Sequence, residues 1–399
     1  MNDGDRGRNV ARRLAELDEL TVTVERLVTG GEGLARFEGI PIFIPRAAPG
    51  DRLRVRLVER RPGYGRAEIE EILQPGPGRR DPPCPHFARC GGCDLQHLDD
   101  ALQVRLKVEA VRETLQRLGG LTWPEKVRVV AGESWAYRMR TSLHTRPVAG
   151  GHEVGYFARR SHDLVVVERC PVLVPELERI VERLGRLIPA EGPRRIDLAA
   201  GRAGEWTAAP VVEGLDHGPL EIDVEGNTYT YDARCFFQAH RSLLGELVNA
   251  AVGIWEGERA VDLYAGVGLF SIPLARRYAG VHAIEGDRVA VRYARTNARR
   301  NAVPNLQAEH RTVERWIDLL PAALDRVLVD PPRTGLTRPV RRALLERPPA
   351  RLTYVSCDAA ILARDLKELA RSFAVESLTL LDLFPQTGHM ETVVQLAAR

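Results

Sequence analysis

The residues best suited to chemistry lie in the last third of the chain, each where an apolar run gives way to a turn. Residues 351–355 read as a buried strand that runs into Ser356-Cys357-Asp358, and Asp358 then opens a helical pattern over 359–370 as its N-cap. Cys357 therefore stands at the carboxyl end of a strand, beside a helix N-terminus that favours thiolate over thiol. A lone cysteine is ordinarily a small buried hydrophobe; its neighbours make this one a candidate nucleophile. Residues 326–329 end at Asp330, held out of a helix by Pro331 and Pro332. The final hairpin, 377–384 and 392–396, encloses 385–391 and brings in Glu391. One thiol and two carboxylates on a single sheet edge suit nucleophilic addition followed by proton removal.

The same edge has a second half. The buried run 260–263 leads into Tyr264-Ala265-Gly266-Val267-Gly268, whose glycines let backbone approach a ligand, and then into a helix expected over 269–277. The third glycine of a dinucleotide fingerprint is missing, because Leu269-Phe270-Ser271 follows Gly268. The next strand, 281–284, ends at Glu285, an acid able to accept both ribose hydroxyls of a nucleoside. This combination points to S-adenosylmethionine, with Thr312, after the run 306–309, expected at the adenine edge. NAD is the less favoured ligand.

Alternating strands and helices over 246–399 predict an α/β doubly wound domain. At 399 residues the chain is long enough for two or three domains. Residues 1–19 are expected to form a disordered tail, 20–76 a small β-barrel of five short strands, and 77–245 an α+β central domain. Along the last two barrel strands Arg52, Arg54, Arg56, Arg60, Arg61 and Arg66 alternate. They suit either a phosphate-facing surface or a solvated edge that blocks aggregation. Arg138, Arg140, Arg146, Arg159, Arg160 and His162 make the central domain a second candidate for RNA contact or a plain platform. The net charge of +3 does not by itself require a nucleic-acid partner. No apolar run reaches membrane-spanning length and no signal peptide is evident, so a cytoplasmic location without a membrane is expected.

Cys84, Cys90 and Cys93 form a C-x5-C-G-G-C cluster, and Cys170 is the candidate fourth thiolate. Four thiolates hold either a [4Fe–4S] cluster or zinc, and spacing does not choose between them. The barrel motif Gly30-Gly31-Glu32-Gly33 with 45–51 resembles the TRAM domain of RNA-modifying enzymes. The segment from Cys84-Pro85 to Cys93-Asp94-Leu95-Gln96-His97 resembles the cluster-binding segment of the RNA uracil-5-methyltransferases that act on 23S rRNA. Ser356-Cys357-Asp358, Asp330-Pro331-Pro332-Arg333 and Phe384-Pro385-x-Thr387-x-His389-x-Glu391 resemble the RNA (uracil-5-)-methyltransferase family over about residues 20–399.

That resemblance implies an iron–sulfur cluster rather than zinc on Cys84, Cys90, Cys93 and Cys170. It also implies a nucleophile at Cys357, a proton acceptor at Glu391 and cofactor contacts from Gln238, Tyr264, Glu285 and Asp330. The expected product is 5-methyluridine in 23S rRNA, made by a monomer. A tRNA T-loop uridine is the alternative target, and a base N-methyltransferase using Asp330-Pro331-Pro332 a more remote one. Leu269 departs from the asparagine of the best-known 23S rRNA member, which removes one side-chain contact to the cofactor. His389 has no demanded role and is read as shaping its loop.

Overall fold

In the computed structural model of the chain, residues 14, 17–122 and 127–399 are described. They form two compact units: the first holds the chain up to Glu113 together with Pro385–His389, the second holds Thr114–Phe384 and Met390–Arg399. Most of the expected tail lies outside the described residues. Leu14, however, is buried in the barrel core, and the first strand already begins at Glu19.

The first unit contains a closed barrel of strands β1 (Glu19–Leu27), β2 (Glu32–Phe37), β3 (Ile40–Pro45), β4 (Arg52–Arg61) and β5 (Tyr64–Gln74), in the order β1-β2-β3-β5-β4. Strict alternation dictates it. Leu20, Val22 and Val24 of β1 and Leu53, Val55 and Leu57 of β4 point into one core, and the residues between them face out. The outward arginines meet carboxylates. Arg54 pairs with Glu71 at 2.7 Å, Arg56 with Glu68 and Glu70 at 2.7 Å each, Arg60 with Asp18 at 2.9 Å and Arg61 with Glu59 at 2.9 Å. Arg66 is held by Glu32 at 2.6 Å. The stripe expected to face phosphate is largely neutralised by acids on neighbouring strands and turns, which favours the solvated-edge alternative.

In the second unit, β7 (Arg140–Val148), β8 (Gly151–Phe157), β9 (Leu164–Val166), β10 (Arg195–Ala200) and β11 (Trp206–Ala209) make an antiparallel sheet in the order β11-β10-β7-β8-β9. The helix Pro175–Leu187 packs Leu177, Ile180, Val181 and Leu184 into the same core. Residues 220–231 form a separate hairpin, β12 (Leu220–Val224) and β13 (Asn227–Tyr231).

The rest of the second unit is an eight-stranded sheet. Its strands are β14 (Gly257–Leu263), β15 (Tyr278–Glu285), β16 (Leu306–His310), β17 (Arg326–Val329), β18 (Arg351–Ser356), β19 (Phe373–Asp382) and β20 (Glu391–Ala398), plus β6 (Val127–Ala131). The order β16-β15-β14-β17-β18-β20-β19-β6 is parallel from β16 to β18, and β20 enters antiparallel. Strand β6, expected in the central domain, pairs parallel to β19 at the sheet edge. The order reverses about β14, so the carboxyl ends of β14, β15, β17 and β18 open on one crevice.

Candidate active site

Most of the candidate side chains stand at the end of one of these strands. After β14 the chain turns sharply, with Tyr264, Gly266 and Gly268 all at positive φ (64°, 55° and 92°). Only glycine adopts this without strain, so Tyr264 is held there at a cost of ~1–3 kcal/mol. The following helix is shorter than expected, Ser271–Ala275. Glu285, ending β15, accepts hydrogen bonds from Gly266 N at 2.8 Å and Asp287 N at 2.7 Å. Its carboxylate is thereby fixed across the glycine turn.

After β17, Asp330 receives a hydrogen bond from Gln238 Nε2 at 3.3 Å. Gln238 reaches it because Phe237 stacks on Tyr231 at 4.2 Å, which anchors the loop after β13 and turns the glutamine inward. The Pro-Pro segment is pinned downstream. Gly335 N donates to Pro332 O at 2.8 Å and Leu336 N to Asp365 Oδ2 at 2.9 Å. Gly335 has φ +74°, and a Cβ there would lie 2.4 Å from Ile361 Cγ2.

Cys357 follows β18, and Asp358 caps the helix Ala359–Leu369, accepting from Ala360 N at 2.9 Å and Ile361 N at 3.0 Å. Glu391 begins β20 and is 3 % exposed.

Gln238, Tyr264, Gly266, Glu285, Asp330, Cys357 and Glu391 line one cleft of about 670 Å3. Gly268 and Thr312 are not among its lining residues. Gly268 packs towards Ala294, and Thr312 stands at the N-cap position of a one-turn helix with its methyl group towards Gly286. Asp287, Arg333 and Phe236 are among the lining residues that were not singled out as site residues. Asp287 could have been found as the second acid after Glu285; it caps the helix Arg288–Arg300. Phe236 is 66 % exposed, with the Arg140 guanidinium 6.0 Å from its ring.

The electrostatics reverse one expectation. Burial, then the charge of Glu391, pushes the Cys357 thiol up to about 12; Arg333 opposes this, while Asp330 and Asp358 add to it. The helix N-terminus does not offset this, since Asp358 already accepts two of its N–H groups. Burial likewise raises Asp330 to about 7, with Gln238 opposing and Glu285 adding. Glu391 is driven well above the carboxylate range by burial and then by Asp330. Beneath them Asp262, raised to about 7 chiefly by burial, accepts a hydrogen bond from Ser271, and its Oδ1 finds no partner among the described residues. A crevice walled by Glu285, Asp287 and Asp330 favours a cation over an anion or a neutral ligand.

The expected cluster ligands present a different picture. Cys84, Cys90 and Cys93 are half-buried in the first unit, where Gly92 N donates to Cys90 Sγ at 3.3 Å. Cys170 belongs to the second unit, and the Tyr156 hydroxyl donates to its sulfur at 3.8 Å. Among the described residues no group of three or more His, Cys, Asp or Glu side chains is arranged to hold a metal ion. No helix among the described residues is long and apolar enough to cross a membrane.

A doubly wound sheet with a glycine turn after β14, an acid ending β15 and an antiparallel β20 defines a class I methyltransferase domain, here following a TRAM barrel. Residues 215–399 match the family model described as tRNA (Uracil-5-)-methyltransferase, and residues 15–69 match that of the TRAM domain. The chain is 34 % identical to the 23S rRNA (uracil(1939)-C(5))-methyltransferase RlmD of Pectobacterium atrosepticum, covering 97 % of this chain and 95 % of that protein. It is also 34 % identical to the protein of that name from Chromohalobacter salexigens, with 98 % and 92 % covered. Among solved structures, Pyrococcus abyssi tRNA (uracil-54, C5)-methyltransferase in complex with S-adenosyl-L-homocysteine is similar, with a TM-score of 0.73, 25 % identity, and 95 % of this chain and 100 % of that one covered. The chain belongs to the RNA (uracil-5-)-methyltransferase family.

Proposed function

We propose that this protein transfers a methyl group from S-adenosylmethionine to C5 of a uridine in 23S rRNA. The observation that carries the proposal is the sharing of one cleft by Cys357, Glu391, Asp330 and Glu285. Uracil C5 is too electron-poor to be methylated directly. As the thiolate, Cys357 adds to C6, and the C5–C6 electron pair moves onto the O4 side as an enolate. The bound sulfonium donor supplies an electrophilic methyl group, which C5 takes up as the sulfonium becomes a neutral thioether. Glu391 then removes the C5 proton, and the C6–S bond breaks to return Cys357.

Glu285 is suited to the ribose hydroxyls of the donor, with Gly266 beside it. Asp330, held by Gln238, faces either the donor or the N3/O4 edge of the uracil. Exposed Phe236 offers a ring on which a base drawn out of its stack can rest. The ribosomal target is favoured by the rRNA enzymes that the chain matches over almost its full length; the solved tRNA enzyme supports the alternative. The resemblance of the segment from Cys84 to His97 to the cluster-binding segment of the 23S rRNA enzymes supports an iron–sulfur cluster on Cys84, Cys90, Cys93 and Cys170 as a further part of the proposal, and iron and sulfide analysis of anaerobically purified protein tests it. Nucleoside analysis after incubation with labelled donor and either purified RNA tests the reaction. 5-Methyluridine in 23S rRNA is expected, and label confined to tRNA would overturn the ribosomal assignment.

A further inference from the structure

The helix Arg288–Arg300 carries a charged surface for which the reaction has no use. Its inner face buries Ala290, Val291, Tyr293, Ala294, Asn297 and Ala298. Its outer face presents Arg288, Arg292, Arg295 and Arg299, all exposed, at the spacing i, i+4, i+7, i+11. At 1.5 Å rise per residue the stripe is ~16 Å long. Together with His310, these four arginines line a surface groove of about 440 Å3.

What sets them apart is what they touch. The barrel arginines hold carboxylates. On this stripe Arg295 donates to the Ala308 carbonyl at 2.9 Å, Arg299 to the Thr296 hydroxyl at 3.3 Å, and Arg292 lies 5.5 Å from the Tyr293 ring centre. None of the four forms an ion pair with a carboxylate among the described residues. Cations spaced four apart on a helix repel one another by ~0.2–0.5 kcal/mol per pair, and Arg288 stands at the end of the helix where the dipole disfavours positive charge. A polyanion laid along the groove relieves both costs.

Placement identifies which polyanion. Asp287 and Ala290 of the same helix line the active cleft, so the stripe starts at its rim. We propose that Arg288, Arg292, Arg295 and Arg299 grip successive phosphates of the RNA strand adjoining the nucleotide in the cleft, each guanidinium forking onto phosphate oxygens. This rests on the reading of RNA as substrate, and it assigns the backbone-holding surface to this helix and not to the arginine stripe of the barrel.

The test uses the full chain with Arg292→Gln, Arg295→Gln and Arg299→Gln combined, and separately Arg54→Gln with Arg56→Gln. Affinity for a fluorescent substrate fragment is measured by anisotropy across a salt series, with circular dichroism to check folding. For single-stranded RNA each lost phosphate contact flattens the slope of log K against log salt by about 0.7, so the helix variant should lose about 2 from the slope. Its KM for RNA should rise while kcat at saturating RNA and the affinity for S-adenosylmethionine hold, and the barrel variant should match wild type. An unchanged slope in the folded helix variant, or an equal loss in the barrel variant, would overturn the proposal. If the slope falls as expected but no uridine is methylated, the phosphate grip stands and the reaction is what fails.

Discussion

The Cys357 thiol, pushed up to about 12 by its burial and by Glu391, should be unusually slow towards alkylating agents in the ligand-free protein. An ordinary thiol ionises near 9.0. At pH 8 an ordinary thiol is ionised in about one molecule in ten, whereas Cys357 is ionised in about one in ten thousand, a deficit of about a thousandfold. Intrinsic nucleophilicity rises with pKa at a Brønsted slope of about 0.45, which returns about twentyfold over three pH units. The net expectation is alkylation by iodoacetamide about fiftyfold slower than for a cysteine model peptide, rising about tenfold per pH unit through at least pH 10. Mass spectrometry of the peptide containing Cys357 follows the rate. At a pH high enough to ionise Glu391, Glu391→Gln removes the largest charge opposing Cys357 ionisation and should accelerate labelling; Arg333→Ala removes the charge that assists it and should slow it. A wild-type rate already flat above pH 8, or one faster than that of Glu391→Gln, would refute this ordering of charges.

Other consequences follow from the same geometry. S-Adenosylmethionine should speed Cys357 alkylation more than S-adenosylhomocysteine does, since only the former brings a positive charge among Glu285, Asp287 and Asp330; equal rates would contradict that role for the acidic wall. Gly335→Ala should lower the melting temperature and activity together, because its Cβ meets Ile361 Cγ2 at 2.4 Å with φ at +74°; overpacking of this kind costs ~1–3 kcal/mol, checked by thermal denaturation. Asp358→Ala removes the cap from the helix after Cys357 and should cost ~1 kcal/mol, again read by denaturation. It should also lower the Cys357 pKa by removing a neighbouring negative charge, visible as faster labelling.

Much of this site was legible because period and punctuation agree. Short apolar runs ending in Glu285, Asp330 or Ser356-Cys357 admit few placements other than parallel strands with their ends at a crevice. What stayed hidden depends on partners distant in sequence. Strand β6 shows no clean alternation and is largely unburied, so only its pairing with β19 reveals it as part of the methyltransferase sheet. The arginine alternation on β4 is plain, but Glu68, Glu70 and Glu71 across the ladder decide its charge. Phe236 and Phe237 are identical in type, and the stacking of Phe237 on Tyr231 determines which one is exposed. The Cys357 thiol was expected to be acidic from its helix alone; burial, and then Glu391 and Asp330 brought in by other strands, reverse the sign.

The most direct measurement is the fate of Glu391→Gln incubated with S-adenosylmethionine and substrate RNA, resolved on a denaturing gel and by mass spectrometry. Without the base, methyl transfer proceeds but the C5 proton stays, so a protein–RNA adduct joined through Cys357 and already carrying the methyl group should accumulate; Cys357→Ala in the same background should give none. Free 5-methyluridine released at the wild-type rate by Glu391→Gln, or an adduct that persists without Cys357, would contradict the pairing of this sulfur with this carboxylate.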